Sequence, residues 1–473
     1  MEYRTLDIWD QIAPRAYIRL WYCLPYRQTT DVDRLKQHLK AALSELSKIF
    51  PDLKGRIVLL ADPPGHLAIG TNEQNDIPFK FFDQRDSFSW TYSQLKSQGF
   101  PAHVFVDASL DLPYRLEDGG KGIPTLEVHV RLIDGGLLLG IYGHHSIFDA
   151  GRMDMVIKCF AQFTKDPIKK LDTTSPARLS GESITSAHVP PVQDLKELLS
   201  RCPEYRLLSS PLGPTQFRAP RTDKLPKNTG CISVIQDQTV RDLKGKLARL
   251  TDSKHQSSTF TCLAALTWAH VTNARIASLS SLSTLAENAR LMISVDWRRR
   301  ISNDAITSSS GNAIALPIAS INKSIIQAAC SEDQRIAYPA LAAIARAIDD
   351  AISSVNDDFV AARTALFRSV PDPRFVGLDF DLSDPLDFYL NTWRHFGTRT
   401  CWGLPGLGKK DIAKGVAPDA ARRAQAGFGT GAGLVLPETD ATKFEVLITL
   451  DVEAMEQLCS STSWQRWAEE SGL

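Results

Sequence analysis

The chain has 473 residues, with 54 Lys and Arg against 54 Asp and Glu, so its formal net charge is zero. That balance sets aside a nucleic-acid binder, which needs a basic excess or stripe to meet phosphates. With 43% apolar and 23% charged residues the composition is ordinary for a globular protein, and the length suits two domains. Eight cysteines are scattered without a CxxC pair, which gives neither a zinc motif nor a disulfide framework. The charged start, Met1 to Asp7, does not read as a secretory signal, and the longest apolar run (137–142) is far too short for a membrane span. The expectation is a soluble cytoplasmic protein that binds neither nucleic acid nor membrane.

In chain order, residues 17–23 (YIRLWYC) are apolar and β-rich and predict a strand. Residues 31–49 predict a helix, with Leu35, Leu39, Leu43 and Leu46 forming one apolar stripe that continues to Phe50. Thr30 or Asp31 can accept from the free amides of its first turn, and Pro51 ends it. Residues 127–133 alternate strictly, Val128, Val130 and Leu132 on one face against Glu127, His129 and Arg131 on the other. Asp134-Gly135-Gly136 suits a tight hairpin turn, since glycine tolerates positive φ. Residues 137–142 are apolar on both faces and predict a central strand. Met153, Val156, Ile157, Phe160 and Phe163 then fall at helical spacing.

From about residue 175 to 227 prolines accumulate and periodicity fades, apart from a short helix predicted at 194–199. The domain reading is 1–185, a proline-rich crossover at 186–227, and 228–473. The second part restarts with a predicted strand at 231–235 and a helix at 240–250. The capping signal Ser257-Ser258-Thr259-Phe260 precedes an apolar helix at 262–271.

The chemistry concentrates at residues 143–151, Gly-His-His-Ser-Ile-Phe-Asp-Ala-Gly. Histidine titrates near neutrality and is the default proton acceptor for an oxygen nucleophile, and a strand end holds it rigidly. His145 is the candidate base. His144 is either a second participant or an orienting neighbour. Asp149 could orient His145 as the acid of a triad does, or pair with an arginine, Arg152 and Arg298 being the candidates. The run Gly427 to Gly433 looks like a phosphate cradle. A strand-like, proline-ended segment follows it instead of a helix, so a glycine-lined edge near a channel is the preferred reading.

The HHxxxD pattern followed by Ala150-Gly151 resembles the active-site motif of the BAHD acyl-CoA-dependent acyltransferases, in particular the fungal branch of trichothecene 3-O-acetyltransferase type. The resemblance extends in order along most of the chain. It includes residues 6–25 as the opening strand and Pro51-Asp52-Leu53-Lys54-Gly55-Arg56 as an "FPxLxGR" passage. Ser258-Thr259-Phe260 with Leu263 to Trp268 looks like the central helix. Val295-Asp296-Trp297-Arg298-Arg299-Arg300-Ile301 with Gly311-Asn312-Ala313 resembles "VDxRxRL…GN". Trp402-Gly403 and Gly406-Leu407-Gly408-Lys409 resemble the "DFGWG" segment.

The resemblance implies an α/β fold of mixed sheets: two chloramphenicol-acetyltransferase-like domains around a central channel. It implies a monomer without metal or tightly bound cofactor. Acyl-CoA, acetyl-CoA foremost, is the co-substrate and a hydroxyl of a fungal secondary metabolite the acceptor. Transfer is direct, with His145 as general base and Asp149 structural. His144, Gly151, Asn312, Trp402 and Gly403 are supporting residues. The run Arg298-Arg299-Arg300 reads as structural or solvated, with Arg298 as a candidate contact to a CoA phosphate. One departure is visible. The family's Asp at the start of the "DFGWG" segment falls here on Cys401, or on Arg399 in a shifted register. Arg298 is therefore expected to lack its usual partner, with Asp296 as a substitute. Two rival readings share the motif: a carrier-protein-dependent condensation enzyme, and a non-acylating member that binds or rearranges a metabolite.

Overall fold

The computed structural model describes the chain apart from residues 1, 27–30, 73, 115, 117–119, 167–193, 213–226, 251–256, 280–284, 303–310, 398, 406–408 and 472–473. Much of the proline-rich crossover and the segment 406–408 thus lie outside the described residues.

The doubly apolar run before the two histidines is the centre of a five-stranded sheet. Its order is Ala420–Arg423, Tyr17–Pro25, Gly136–His144, Leu126–Ile133 and Phe79–Asp83. All nine positions of Gly136–His144 are buried, as an inner strand covered on both faces requires. Leu137, Leu139 and Ile141 face the helices Val32–Ile49 and Ala150–Lys165, whose apolar stripes complete that core. Asp31 caps the first of these helices by accepting from the Asp33 amide. Leu138 and Tyr142 face a second core that also contains Trp21, Phe100 and Phe105. The hairpin closes at Asp134-Gly135, where Gly135 takes φ +77°.

The alternating strand departs from the simple half-wet pattern. Glu127 and His129 are buried (0% and 3% exposed), because residues of the second core roof over the polar face. Glu127 is satisfied by Tyr114 Oη at 2.6 Å, His129 Nε2 at 2.7 Å and Lys80 Nζ at 2.7 Å.

The second half is built on a seven-stranded sheet. Its order is Ile318–Asn322, Asn288–Ile293, Asp387–Thr392, Ala432–Val435, Lys443–Asp451, Asn228–Gln236 and Glu469–Ser471. The helix Thr259–Ala277 is apolar nearly all round and lies buried beside it, capped by Ser258 on the Thr261 amide. In the described part of the crossover, helix Leu195–Arg201 starts at its Asp194 cap and strand Tyr205–Leu207 pairs with Val376–Leu378. The glycine-rich run leads into the inner strand Ala432–Val435, which is paired on both sides, and a Cβ on Gly433 would come 2.7 Å from Leu390.

The two halves exchange pieces. Ala420–Arg423 pairs with Tyr17–Pro25 in the first sheet, and Trp9, on the helix Ile8–Ile12, enters the core of the second. Trp9 Nε1 donates to Thr364 at 3.0 Å there, and its ring meets Trp297 and Phe367. No described helix is long and apolar enough to cross a membrane.

Candidate active site

His144 and His145 end the central strand and point to different surroundings. The backbone is pinned on both sides: His144 N–H donates to Thr125 at 2.9 Å and His145 N–H to Ala16 at 2.8 Å. The His144 carbonyl accepts from Ile147 and Phe148, which folds the motif into a tight turn. Phe148 lies on Gly143, where a Cβ would come 2.8 Å from its ring. Asp149 caps the following helix by accepting from the Arg152 amide at 3.0 Å.

His145 lines a cavity of about 100 Å³ that opens to solvent. Its walls come from both halves: Trp9 and residues 11–15 from the N-terminal segment, Ser294, Asn312, Ile314 and Tyr389 from the second sheet and its loops, and Pro373, Arg374 and residues 376–378. The ring keeps part of its surface open to the cavity, while its Nδ1 is sealed inside. Burial holds the imidazole below the ordinary histidine pKa, with the negative charge of Asp149 working against the shift. A largely neutral ring at pH 7 follows, which is the form a base needs. Ser294 Oγ and Tyr389 Oη lie 2.8 Å apart on the same wall.

Asn312 stands behind His145. Its Nδ2 donates to the His145 carbonyl at 2.8 Å and to Asp10 Oδ1 at 2.9 Å, and its backbone N–H donates to the same Asp10 oxygen at 2.7 Å.

The Asp149 carboxylate is given to other partners than the His145 ring. Oδ2 accepts from Arg298 Nη2 at 2.5 Å and from the Ala313 amide at 3.1 Å. Arg298 therefore has its partner, contrary to the expectation drawn from Cys401. It also donates to Asp296 at 3.2 Å and to the Gly311 carbonyl. Arg298 is 8% exposed, with its guanidinium engaged by these partners. Of the two arginines weighed for Asp149, Arg152 turns its side chain to Asp52, inside the "FPxLxGR" passage.

The other expected residues scatter. His144 is fully buried, its Nδ1 accepting from the Ser146 amide at 3.3 Å and its ring edge-on to Tyr17. Burial, together with the neighbouring His145 and Arg15, pushes its pKa down to about 3. Gly151 is exposed in the first helical turn, and a Cβ there would meet nothing closer than 3.6 Å. Trp402 and Gly403 are absent from the cavity wall. Trp402 packs on Tyr22 and Phe160, and Gly403 fits against Thr164, where a Cβ would come 2.4 Å from the carbonyl oxygen. Cys401 sits on the same segment, beside Gly415.

The sequence reading missed Asp10, Ser294, Tyr389 and Arg374. Asp10 and Ser294 lie within or next to segments that carried the resemblance; Tyr389 and Arg374 carried no signal.

A histidine at the end of an inner strand, opening into a cavity shared by two mixed-sheet α/β halves, is the arrangement of an acyltransferase of the HHxxxD class. Residues 4–376 match the model of the Transferase family, and the chain belongs to that family, the BAHD acyltransferases. It is 25% identical to the acyltransferase easC of Emericella nidulans, over 98% of this chain and 94% of that protein. To trichothecene 8-O-acetyltransferase of Fusarium sporotrichioides it is 25% identical, over 80% of this chain and 79% of that protein. Its fold is similar to that of F. sporotrichioides TRI101 complexed with coenzyme A and T-2, with a TM-score of 0.76 at 19% identity and full coverage of both chains. The chain is an acyltransferase.

Proposed function

We propose that this enzyme transfers an acyl group, acetyl foremost, from acyl-CoA to a hydroxyl of a fungal secondary metabolite held in the cavity beside His145. The single observation that carries the reading is His145 itself, the residue of the HHxxxD motif that opens onto the cavity. The curated relatives named as acetyltransferases and the coenzyme A in the TRI101 complex support the donor and the acceptor class.

In this mechanism the acceptor hydroxyl lies within hydrogen-bond reach of His145 Nε2. The base takes the proton as the oxygen attacks the thioester carbonyl. A tetrahedral intermediate forms, the C–S bond breaks, and the CoA thiolate leaves with the proton returned from His145. No acyl-enzyme is needed, because a thioester is already activated. A positioned base supplies about 10²–10⁴-fold, and holding both substrates in one enclosed site supplies a share at least as large. Asp149 with Arg298 holds the turn that carries the base, and Asn312 ties the His145 carbonyl to the second half. We further read 1–185 and 228–473 as two domains joined by the 186–227 crossover, acting as a monomer.

The test is mass spectrometry of the purified protein with acetyl-CoA and a panel of hydroxylated fungal metabolites, with His145→Ala alongside. A gain of one acetyl group, made only by the wild type, is the expected result. No acylated product and no release of free CoA would sink the donor assignment.

A further inference from the structure

The cavity beside His145 carries an unbalanced positive charge. The described residues that line it include Arg15 and Arg374 but no Asp or Glu. Arg374 is balanced from behind: its Nη2 donates to Asp372 Oδ2 at 2.7 Å and its Nε to both oxygens of the same carboxylate at 3.1 Å. Arg15 is held differently. Its Nη2 donates to the Gly65 carbonyl at 2.6 Å, and its Nη1 is enclosed without a hydrogen-bond partner. The three groups meet at Gly65, where a Cβ would run into the Asp372 carboxylate and come 2.6 Å from Arg374 Nε. Two guanidinium groups thus share one carboxylate, and one positive charge is left over.

Arg15 is only 8% exposed. A guanidinium stays charged at neutral pH even when buried, and burial makes that charge costly until an anion pairs with it. Arg374 adds to the strain on Arg15 and Asp372 relieves it in part. Other polar side chains on the wall are already engaged: Gln11 holds the Leu6 and Leu67 carbonyls, and Ser294 and Tyr389 hold each other. Arg15 also stands close to the base. It precedes Ala16, whose carbonyl accepts from the His145 amide at 2.8 Å. A molecule that offers a hydroxyl to His145 can therefore set an anionic group against Arg15.

We propose that Arg15 is a specificity-determining residue: it binds a carboxylate carried by the acceptor, so that the preferred substrates are hydroxy acids. This rests on the reading of the cavity as the acceptor site. A guanidinium and a carboxylate meet in parallel, charge-assisted N–H···O bonds, which a neutral amide or ester does not match. A single surplus charge suits a carboxylate monoanion better than a phosphate dianion.

The test is isothermal calorimetry with benzoate and benzamide, two probes of one shape of which only the first is charged, on the wild type and Arg15→Gln. Wild type should bind benzoate about 10- to 100-fold more tightly than benzamide, the scale of one hydrogen bond to a charged group. Arg15→Gln should lose that preference, with its melting curve confirming the fold. Equal binding of the two probes, no binding of benzoate, or a preference kept by Arg15→Gln would overturn the proposal. Should Arg15→Gln fail to fold, wild type labelled with ¹⁵N-arginine answers the same question: benzoate should shift the Arg15 side-chain signal, assigned with Arg15→Lys, and an unmoved signal overturns the proposal. The titrations are repeated with coenzyme A and with malonyl-CoA present. Displacement of benzoate by coenzyme A would assign Arg15 to the phosphates of the donor, and displacement by malonyl-CoA alone to the acyl group; either outcome removes the acceptor carboxylate. Binding needs no turnover. A benzoate preference in a protein that acylates nothing would leave this inference standing without the acyl-transfer reading, and acylation of neutral alcohols with no benzoate preference would do the reverse.

Discussion

Two buried junctions join the halves of this chain, and they are made of different materials. At the cavity the junction is polar: Asp149 to Arg298 and Ala313, and Asp10 to Asn312, each reaching across more than a hundred residues. Away from the cavity the junction is mostly apolar: Trp402, Leu404, Trp393 and Phe396 lie in the core of the first half, and His38 Nε2 bridges the Thr164 and Gly403 carbonyls at 2.8 Å each. Hydrogen bonds between fixed partners hold atoms in direction as well as distance, so the polar junction can aim a ring. Apolar packing holds volume, so the second junction can assemble the molecule without touching its chemistry. The family-like residues at 402 and 403 belong to the second kind.

Substitutions can break or sharpen that contrast. The largest effect is expected for His145→Ala: turnover down by about 10³-fold with the melting temperature nearly unmoved, since one base typically supplies 10²–10⁴. Kinetics within a factor of a few of wild type would refute the base role. Asp149→Asn comes next. It takes from the buried Arg298 its buried carboxylate partner, and breaking such a pair costs about 3–5 kcal/mol of stability. Denaturant titration reads it, and kcat of the folded fraction should fall too because the Ala313 turn loses its anchor. An unshifted stability with lost activity would instead make Asp149 catalytic.

Trp402→Ala should cost a similar 3–5 kcal/mol, the range for a buried tryptophan, yet leave kcat per folded molecule unchanged. If it lowers kcat as Asp149→Asn does, the division between the two junctions is wrong. A smaller effect concerns acid stability. Burial holds His144 near 3 and His270 near 4, below the value they regain on unfolding. The unfolded chain thus binds more protons below about pH 6.5, and stability present above that pH is lost as the pH falls toward 4 to 3. Melting temperature against pH should show it, and His270→Gln should flatten part of the slope. The smallest effect is expected for Gly151→Ala: a helical glycine with open space gains up to about 1 kcal/mol, and activity stays within twofold. A large loss of activity there would mean that substrate passes over the first turn.

Much of this was legible in local pattern. The hydrophobic periods placed the central strand and the two helices beside it within a few residues, and the start but not the end of the buried helix of the second half, because each buries a face that its own sequence defines. The strand 126–133 was harder: its polar face is covered by a segment about thirty residues upstream, which alternation alone does not reveal. Arg298 was legible in part. It was weighed with Arg152 as the partner of Asp149, and that ion pair is made, although Cys401 at the position of the family's Asp suggested that Arg298 lacked a partner.

By itself the sequence determined the class of chemistry and the secondary structure around it, because a motif on a strand end and the periodicity flanking it are properties of neighbouring residues. Only the tertiary structure decided the division of labour between His144 and His145, the turning of Asp149 away from the base, and the meeting of Asp10 with Asn312. Those depend on which side of a sheet is sealed and which opens, and on contacts between residues 10, 149, 298 and 312, whose separation in the chain leaves no local trace.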